Sequence, residues 1–146
     1  MSISFRFDIT PTIDQIINVY RSSGINRPIA DKSRIKKMYD NSNLIVTAWD
    51  GNELVGISRS LTDYCYCCYL SDLAVSKPYQ KQGIGKKLIE LTKQKIGDET
   101  MLLLLSAPSA MEYYPKVGLN KVENGFIIKR NKFWKLFAVR VIVKTF

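Results

Sequence analysis

Between Gln80 and Lys87 the chain reads Gln-Lys-Gln-Gly-Ile-Gly-Lys-Lys, the residues best suited to hold a charged ligand. Gly83 and Gly85 have no Cβ, so the backbone there can approach a bound group closely. Lys81, Lys86 and Lys87 add long-range positive charge. The segment follows an apolar run ending Leu73-Ala74-Val75 and precedes a helical pattern, so it reads as strand, turn and helix start. The first N–H groups of a helix have no partner inside it and carry partial positive charge. A phosphate can accept from several of them at once. This arrangement suits a pyrophosphate and so a nucleotide-like cofactor. The spacing is neither the dinucleotide fingerprint G-x-G-x-x-G nor the P-loop G-x-x-x-x-G-K-[ST].

Other chemistries are narrowed by what the chain lacks. It contains no histidine, which excludes Ser-His-Asp and Cys-His catalysis and most histidine-ligated metal sites. A general base must therefore be a carboxylate, Tyr, Cys, Lys or water. Cys65, Cys67 and Cys68 lie within an aromatic run, Tyr-Cys-Tyr-Cys-Cys-Tyr, at a spacing that fits no zinc pattern. Neighbours on a strand point to opposite faces, so reduced, partly buried thiols are expected, and no metal. Cys67 or Cys68 as a nucleophile would need an activating imidazole that the chain does not have.

The elements that must position this segment fit a chain of 146 residues with one core. Net charge is +9, which suits nucleic acid, an anionic surface or a polyanionic cofactor, or is simply a soluble basic surface. No apolar run is long enough for a membrane span, and the N-terminus lacks a signal-peptide pattern, so the expected place is the cytoplasm. Residues 3–8 alternate as a first strand, and Thr10-Pro11 reads as the start of a helix ended by Gly24. Asp31 can cap a second helix. Leu44 to Trp49 and Glu53 to Leu61 form a hairpin around Asp50-Gly51-Asn52, and a strand from Tyr64 to Val75 follows the turn at Thr62-Asp63. A helix over about residues 83–96 buries Ile84, Leu88, Ile89, Leu91 and Ile96. Met101 to Leu105 reads as a strand covered on both faces. Ser109 and Glu112 form a capping box for a helix that Pro115 should kink or end, and a last hairpin turns at Asn124-Gly125. The tail, residues 131–146, alternates large apolar and basic residues. It reads as an added strand or arm, in a homodimer for instance, or as a membrane-surface or nucleic-acid contact.

The order of elements and two motifs resemble the GCN5-related N-acetyltransferases (GNAT). Gln80, Gly83 and Gly85 fill that family's [QR]-x-x-G-x-[GA] after a strand ending in L-x-V, here Leu73-Ala74-Val75. Residues 110–119, Ala-Met-Glu-Tyr-Tyr-Pro-Lys-Val-Gly-Leu, are similar to its A-x-x-F-Y-x-K-x-G-F segment. The resemblance covers residues 1–130 and implies one α+β domain, with the tail outside it. It implies a mixed, mostly antiparallel sheet with helices on both faces, and acetyl-CoA in a splayed gap between the fourth and fifth strands. It further implies that the pantetheine arm pairs with Leu73, Ala74 and Val75, and that the pyrophosphate sits on Gln80, Lys81, Gln82, Gly83, Ile84, Gly85, Lys86 and Lys87.

The activity implied is direct transfer of an acetyl group to a primary amine of a small molecule or peptide. Tyr114 aligns with the family tyrosine that faces the coenzyme sulfur, which makes it the candidate acid. Asp72 is the candidate base, or alternatively a cap or salt-bridge partner. Tyr69 stands where some members carry a glutamate base. Ala107 replaces an asparagine frequent in the family, and Ser106 or Ser109 could make its contact. Tyr20, Arg27, Trp49, Arg59, Tyr64 and Tyr66 are candidates for the acceptor pocket, with Arg59 either binding an acceptor carboxylate or offsetting Asp63. Two other readings are a catalytically silent acetyl-CoA sensor and, with charge as its only support, a basic nucleic-acid-binding module.

Overall fold

A computed structural model describes residues 2–130. The chain divides into two compact units, residues 1–110 and residues from Met111 onward. The first unit is built on a five-stranded sheet in the order β1-β2-β3-β4-β5. Its strands are β1 (Ile3–Arg6), β2 (Leu44–Asp50), β3 (Glu53–Thr62), β4 (Cys67–Val75) and β5 (Met101–Leu103). The first four are antiparallel, and β5 lies parallel to β4. Helices α1 (Ile13–Ser23) and α2 (Lys32–Asp40) cover one face, and α3 (Ile84–Ile96) covers the other. The expected α+β architecture is therefore present.

Alternation within β2 sorts its side chains between the two layers. Ile45 and Trp49 pack under α1 and α2 with Ile16, Tyr20 and Ile35. Leu44, Val46 and Ala48 pack under α3 with Ile84, Leu88 and Ile96. Gly56 lets α3 sit close to β3. A Cβ there would meet Ile84 Cγ2 at 3.2 Å and the Ala48 Cβ and Leu88 Cδ1 at 3.3 Å.

Several boundaries differ from the sequence reading, for local reasons. Helix α1 is capped by Thr12 and not by Thr10, because only Thr12 has Gln15 three residues on to complete a capping box. Strand β4 starts at Cys67 and not at Tyr64. Asp63 Oδ1 gathers the N–H groups of Cys65, Tyr66 and Cys67 at 2.9, 2.7 and 3.0 Å, which ties these residues into a turn. Strand β5 is only three residues long, and among the described residues it is not covered on both faces, since Met101 is 55% exposed.

In the second unit the Ser109–Glu112 capping box does not form, as Ser109 belongs to a 3₁₀ turn, Pro108–Ala110, that ends the first unit. Helix α4 is a single turn, Tyr113–Lys116. Pro115 is tolerated there because N–H groups in a first turn need no helical partner. Among the described residues, 119–130 form no strand with one another: Phe126, Ile127 and Ile128 are exposed, and a hairpin without a buried face is marginal. The reading of the tail falls outside the described residues.

Candidate functional site

The sheet opens at one place in the first unit. Strand β5 pairs only with Cys67, Cys68 and Tyr69, so β4 runs on for six residues without a neighbour on that side among the described residues. Ser76 N–H donates to the Val55 carbonyl of β3 at 2.8 Å. By strand alternation, the backbone groups of Val75 and Leu73 therefore face away from β3, toward the open edge, whereas those of Ala74 face β3. One of these groups is already engaged: Gln80 Nε2 donates to the Val75 carbonyl at 2.9 Å. Gln80 thereby folds the following turn back against the end of the strand.

That turn gathers backbone amides. A 3₁₀ turn, Lys77–Tyr79, leads into Lys81 at φ 64° and Gly83 at φ 83°, both left-handed. Gly83 is the N-cap of α3 and supplies no side-chain cap. The N–H groups of Ile84, Gly85 and Lys86 thus stand in the helix's first turn, where no intrahelical acceptor exists. A Cβ at Gly83 would meet nothing within 4 Å, so the space beside Gly83 itself is open. Lys81, Lys86 and Lys87 are exposed, and Lys86 and Lys87 lie 3.8 and 3.9 Å from the Glu90 carboxylate. Gln82 donates to the Pro78 carbonyl at 3.3 Å. Ile84 differs from its neighbours in the motif, for its side chain is buried in the core under α3. The strand end and this turn are one continuous feature that can pair with an extended chain and hold an anion.

On the opposite side of β4 lies a buried charge cluster. In the β3–β4 register Arg59 faces Asp72 and Ser60 faces Leu70, which leaves Ser71 as an extra, bulged residue. The bulge turns Asp72 and Ala74 toward α1 and α2, although Cys68, on the same side of the alternation, faces α3. Asp72 has no solvent exposure. Its Oδ2 accepts from Arg59 Nε and from the Tyr20 hydroxyl, each at 2.6 Å, and its Oδ1 accepts from Arg27 Nε at 2.5 Å. Tyr39 then donates to the Tyr20 oxygen at 2.6 Å, since the Tyr20 proton is already given to Asp72.

Burial alone would raise the pKa of Asp72. The hydrogen bond and charge of Arg59, the Tyr20 hydroxyl and the Arg27 charge outweigh it and hold the carboxyl below its usual range. The Tyr20 phenol is pushed well above its normal value by burial first, then by Tyr39 and Asp72, so it remains protonated. A carboxylate held in this way is a weak proton acceptor.

The other sequence candidates are scattered. Arg59 pairs with Asp72 and not with Asp63, whose carboxylate serves the turn before β4. Trp49 is a core residue whose indole donates to Thr47 Oγ1 at 2.7 Å. Tyr64 donates to the Asn43 carbonyl, and Tyr66 is 77% exposed. Tyr69 is partly exposed on β4. The Cys67 thiol is raised in pKa chiefly by the Asp63 charge and the Cys68 thiol by burial, so neither is an activated nucleophile. Ser106 Oγ donates to the Ala107 carbonyl, and Ser109 is exposed. In the second unit Tyr114 is half-buried, with its ring edge-on to Tyr113 at 5.3 Å. The full cluster around Asp72 goes beyond what the sequence offered. An acid and an arginine within two otherwise apolar strands were its available signal, because buried charges come paired.

The sequence matches the acetyltransferase (GNAT) domain family over residues 17–134. An uncharacterised N-acetyltransferase ycf52-like protein of Prochlorococcus marinus is 28% identical over 140 residues, covering 90% of this chain and 74% of that protein. The histone acetyltransferase TAP1 of Glycine max is 31% identical over 93 residues, which is 58% of this chain and 38% of that protein. Among solved structures, a Streptococcus pneumoniae acetyltransferase of the GNAT family shares the fold with a TM-score of 0.72, at 20% identity, over 89% of this chain and 100% of its own. A Staphylococcus aureus protein of unknown function shares it with a TM-score of 0.75, at 24% identity, over 88% of this chain and 100% of its own. With the family domain matching most of the chain, and this sheet and turn beneath it, the protein belongs to the GNAT acetyltransferase family.

Proposed function

We propose that this protein transfers an acetyl group from acetyl-CoA directly to a primary amine of a small molecule or peptide. One observation carries the reading. No described strand pairs with the edge of β4 at Leu73 and Val75, and that edge ends in a turn whose amides at Ile84, Gly85 and Lys86 have no helical acceptor. The residues fit such a donor: strand groups for its amide-bearing arm, amides and lysines for its phosphates, and no side chain at Gly83 to block them. When bound, acetyl-CoA supplies an acetyl group activated as a thioester.

The chain's own residues bind, orient and handle protons. An alkylamine with a pKa near 10.4 is neutral in about one molecule in a few thousand at pH 7, so it must lose its proton before attack. Asp72 is bonded on both oxygens, and we assign it to holding β4, with the amine proton leaving through water. The Val75 N–H is a donor for charge that develops on a carbonyl oxygen at the strand edge. Tyr114 is assigned the proton donor to the departing sulfur on its motif position.

The test is a panel of amines with acetyl-CoA, following release of free thiol. Release with at least one amine is expected. No release, together with no coenzyme binding in calorimetry, would overturn the reading. The engagement of Asp72 by two arginines favours one second reading, a coenzyme sensor without turnover. Binding with no release across the panel would select it.

A further inference from the structure

Building on the acetyl-transfer reading, we propose that Arg27 is a positioning residue. Its guanidinium latches the loop between α1 and α2 onto the β4 bulge, and so fixes the open strand edge against which the acyl donor lies.

The bulge needs such a partner. Ser71 has no register partner on β3 or β5, so its carbonyl is left out of both ladders. Arg27 Nη2 donates to that carbonyl at 2.6 Å, while Arg27 Nε donates to the Asp72 carboxylate in the next residue. One planar fork therefore grips two consecutive residues of the strand, which a lysine ammonium cannot reproduce. The Ser71 hydroxyl is held as well, accepting from Arg59 Nη2 at 2.9 Å and donating to Asp72 Oδ1 at 3.2 Å. Leu73 and Val75, whose backbone groups face the open edge, begin directly after this grip.

The other end of the latch is equally built. Arg27 Nη1 donates to the Asn26 carbonyl at 2.7 Å, which stiffens its own loop. Ile29 N–H donates to the Arg27 carbonyl at 2.8 Å, and Ile25 and Ile29 pack on the core under α1 and α2. The polar link between the loop and the strand edge thus runs through the Arg27 side chain, beside the apolar packing of Ile25 and Ile29. Removing that side chain leaves Asp72 still paired with Arg59 and Tyr20 through Oδ2, so the core charge stays compensated.

The full chain, Arg27→Ala and Arg27→Lys are compared by thermal unfolding, amide hydrogen exchange without ligand, and calorimetry with coenzyme A. Both variants are expected to fold. In Arg27→Ala the amides of Ala74 and Ile29 exchange about tenfold faster, and the coenzyme Kd rises by about the same factor. Arg27→Lys recovers unfolding temperature but not exchange protection, because charge without the fork cannot hold the Ser71 carbonyl. Unchanged exchange in Arg27→Ala overturns the latch, as does full recovery in Arg27→Lys. Faster exchange with unaltered coenzyme affinity overturns the positioning role. Should the wild-type chain bind no coenzyme, the acetyl-transfer reading falls. The latch is then decided by exchange alone, upheld if it is faster in Arg27→Ala and overturned if it is not.

Discussion

The proposed chemistry rests on groups that must keep their protons or their charges. Tyr114 is a proton donor in the proposed reaction, and Tyr114→Phe removes only the hydroxyl. Turnover should fall by about a hundredfold or more, with coenzyme affinity little changed. Steady-state kinetics beside calorimetry will show this, and unaltered turnover would remove Tyr114 from the mechanism. Asp72 carries a different load. Its Oδ2 bond to Arg59 compensates a guanidinium that is 7% exposed, so Asp72→Asn leaves a buried cation without its counterion. Breaking such a pair from one side costs about 3–5 kcal/mol. Urea unfolding should report a loss of this order, and a loss below about 1 kcal/mol would mean that water reaches Arg59.

At the scale of elements, the sheet works because α3 can lie close upon it. Gly56 creates that closeness, since Ile84 and Leu88 already occupy the space a side chain would need. Gly56→Val should destabilise the protein by about 1–3 kcal/mol through overpacking. It should also weaken coenzyme binding, because the N-terminus of α3 is pushed off the sheet. Thermal unfolding and calorimetry on the variant test both effects, and a variant as stable as wild type would show that α3 has room to move.

Much at this scale was legible in the sequence. Asp31 and Gly24 as helix caps, Asp50-Gly51 as a turn and Gly83 at the start of α3 each satisfy a local backbone demand that a single residue type reveals. What stayed hidden depends on pairing between distant segments. Nothing local in Leu70-Ser71-Asp72 fixes the residue at which the strand bulges, yet that position decides which face Asp72 meets. The same holds for residues 119–130, where alternation and Asn124-Gly125 read as a hairpin but no strand forms. The turn before β4 lies between these cases: residue type marks Asp63 as a turn residue, but not its grip on three amides, which delays the strand.

For the chain as a whole, carboxyl groups with lowered pKa values set the acid limit of stability, Asp63 and Asp72 among them. Backbone N–H groups of Tyr66, Cys65 and Cys67 bring Asp63 down to about 2, and the Asp72 carboxyl is also lowered. A group with a lowered native pKa stabilises the fold above its unfolded value, about 3.9 for Asp, and loses that contribution as pH falls through its native value. Unfolding temperature should therefore hold down to about pH 5 and drop between about pH 4 and 2. Asp63→Asn, which keeps the accepting oxygen but cannot titrate, should shrink that drop. A drop identical to wild type would mean that the turn carbonyl, not the charge, holds the amides.

The central claim is that the open edge of β4 and the first amides of α3 together hold acetyl-CoA, and amide chemical shifts read both at once. Coenzyme A titrated into nitrogen-15-labelled protein should move Gly83, Ile84, Gly85 and Lys86 most, together with Leu73 and Val75. Saturation with these amides still, or with the largest shifts elsewhere in the sheet, would contradict it.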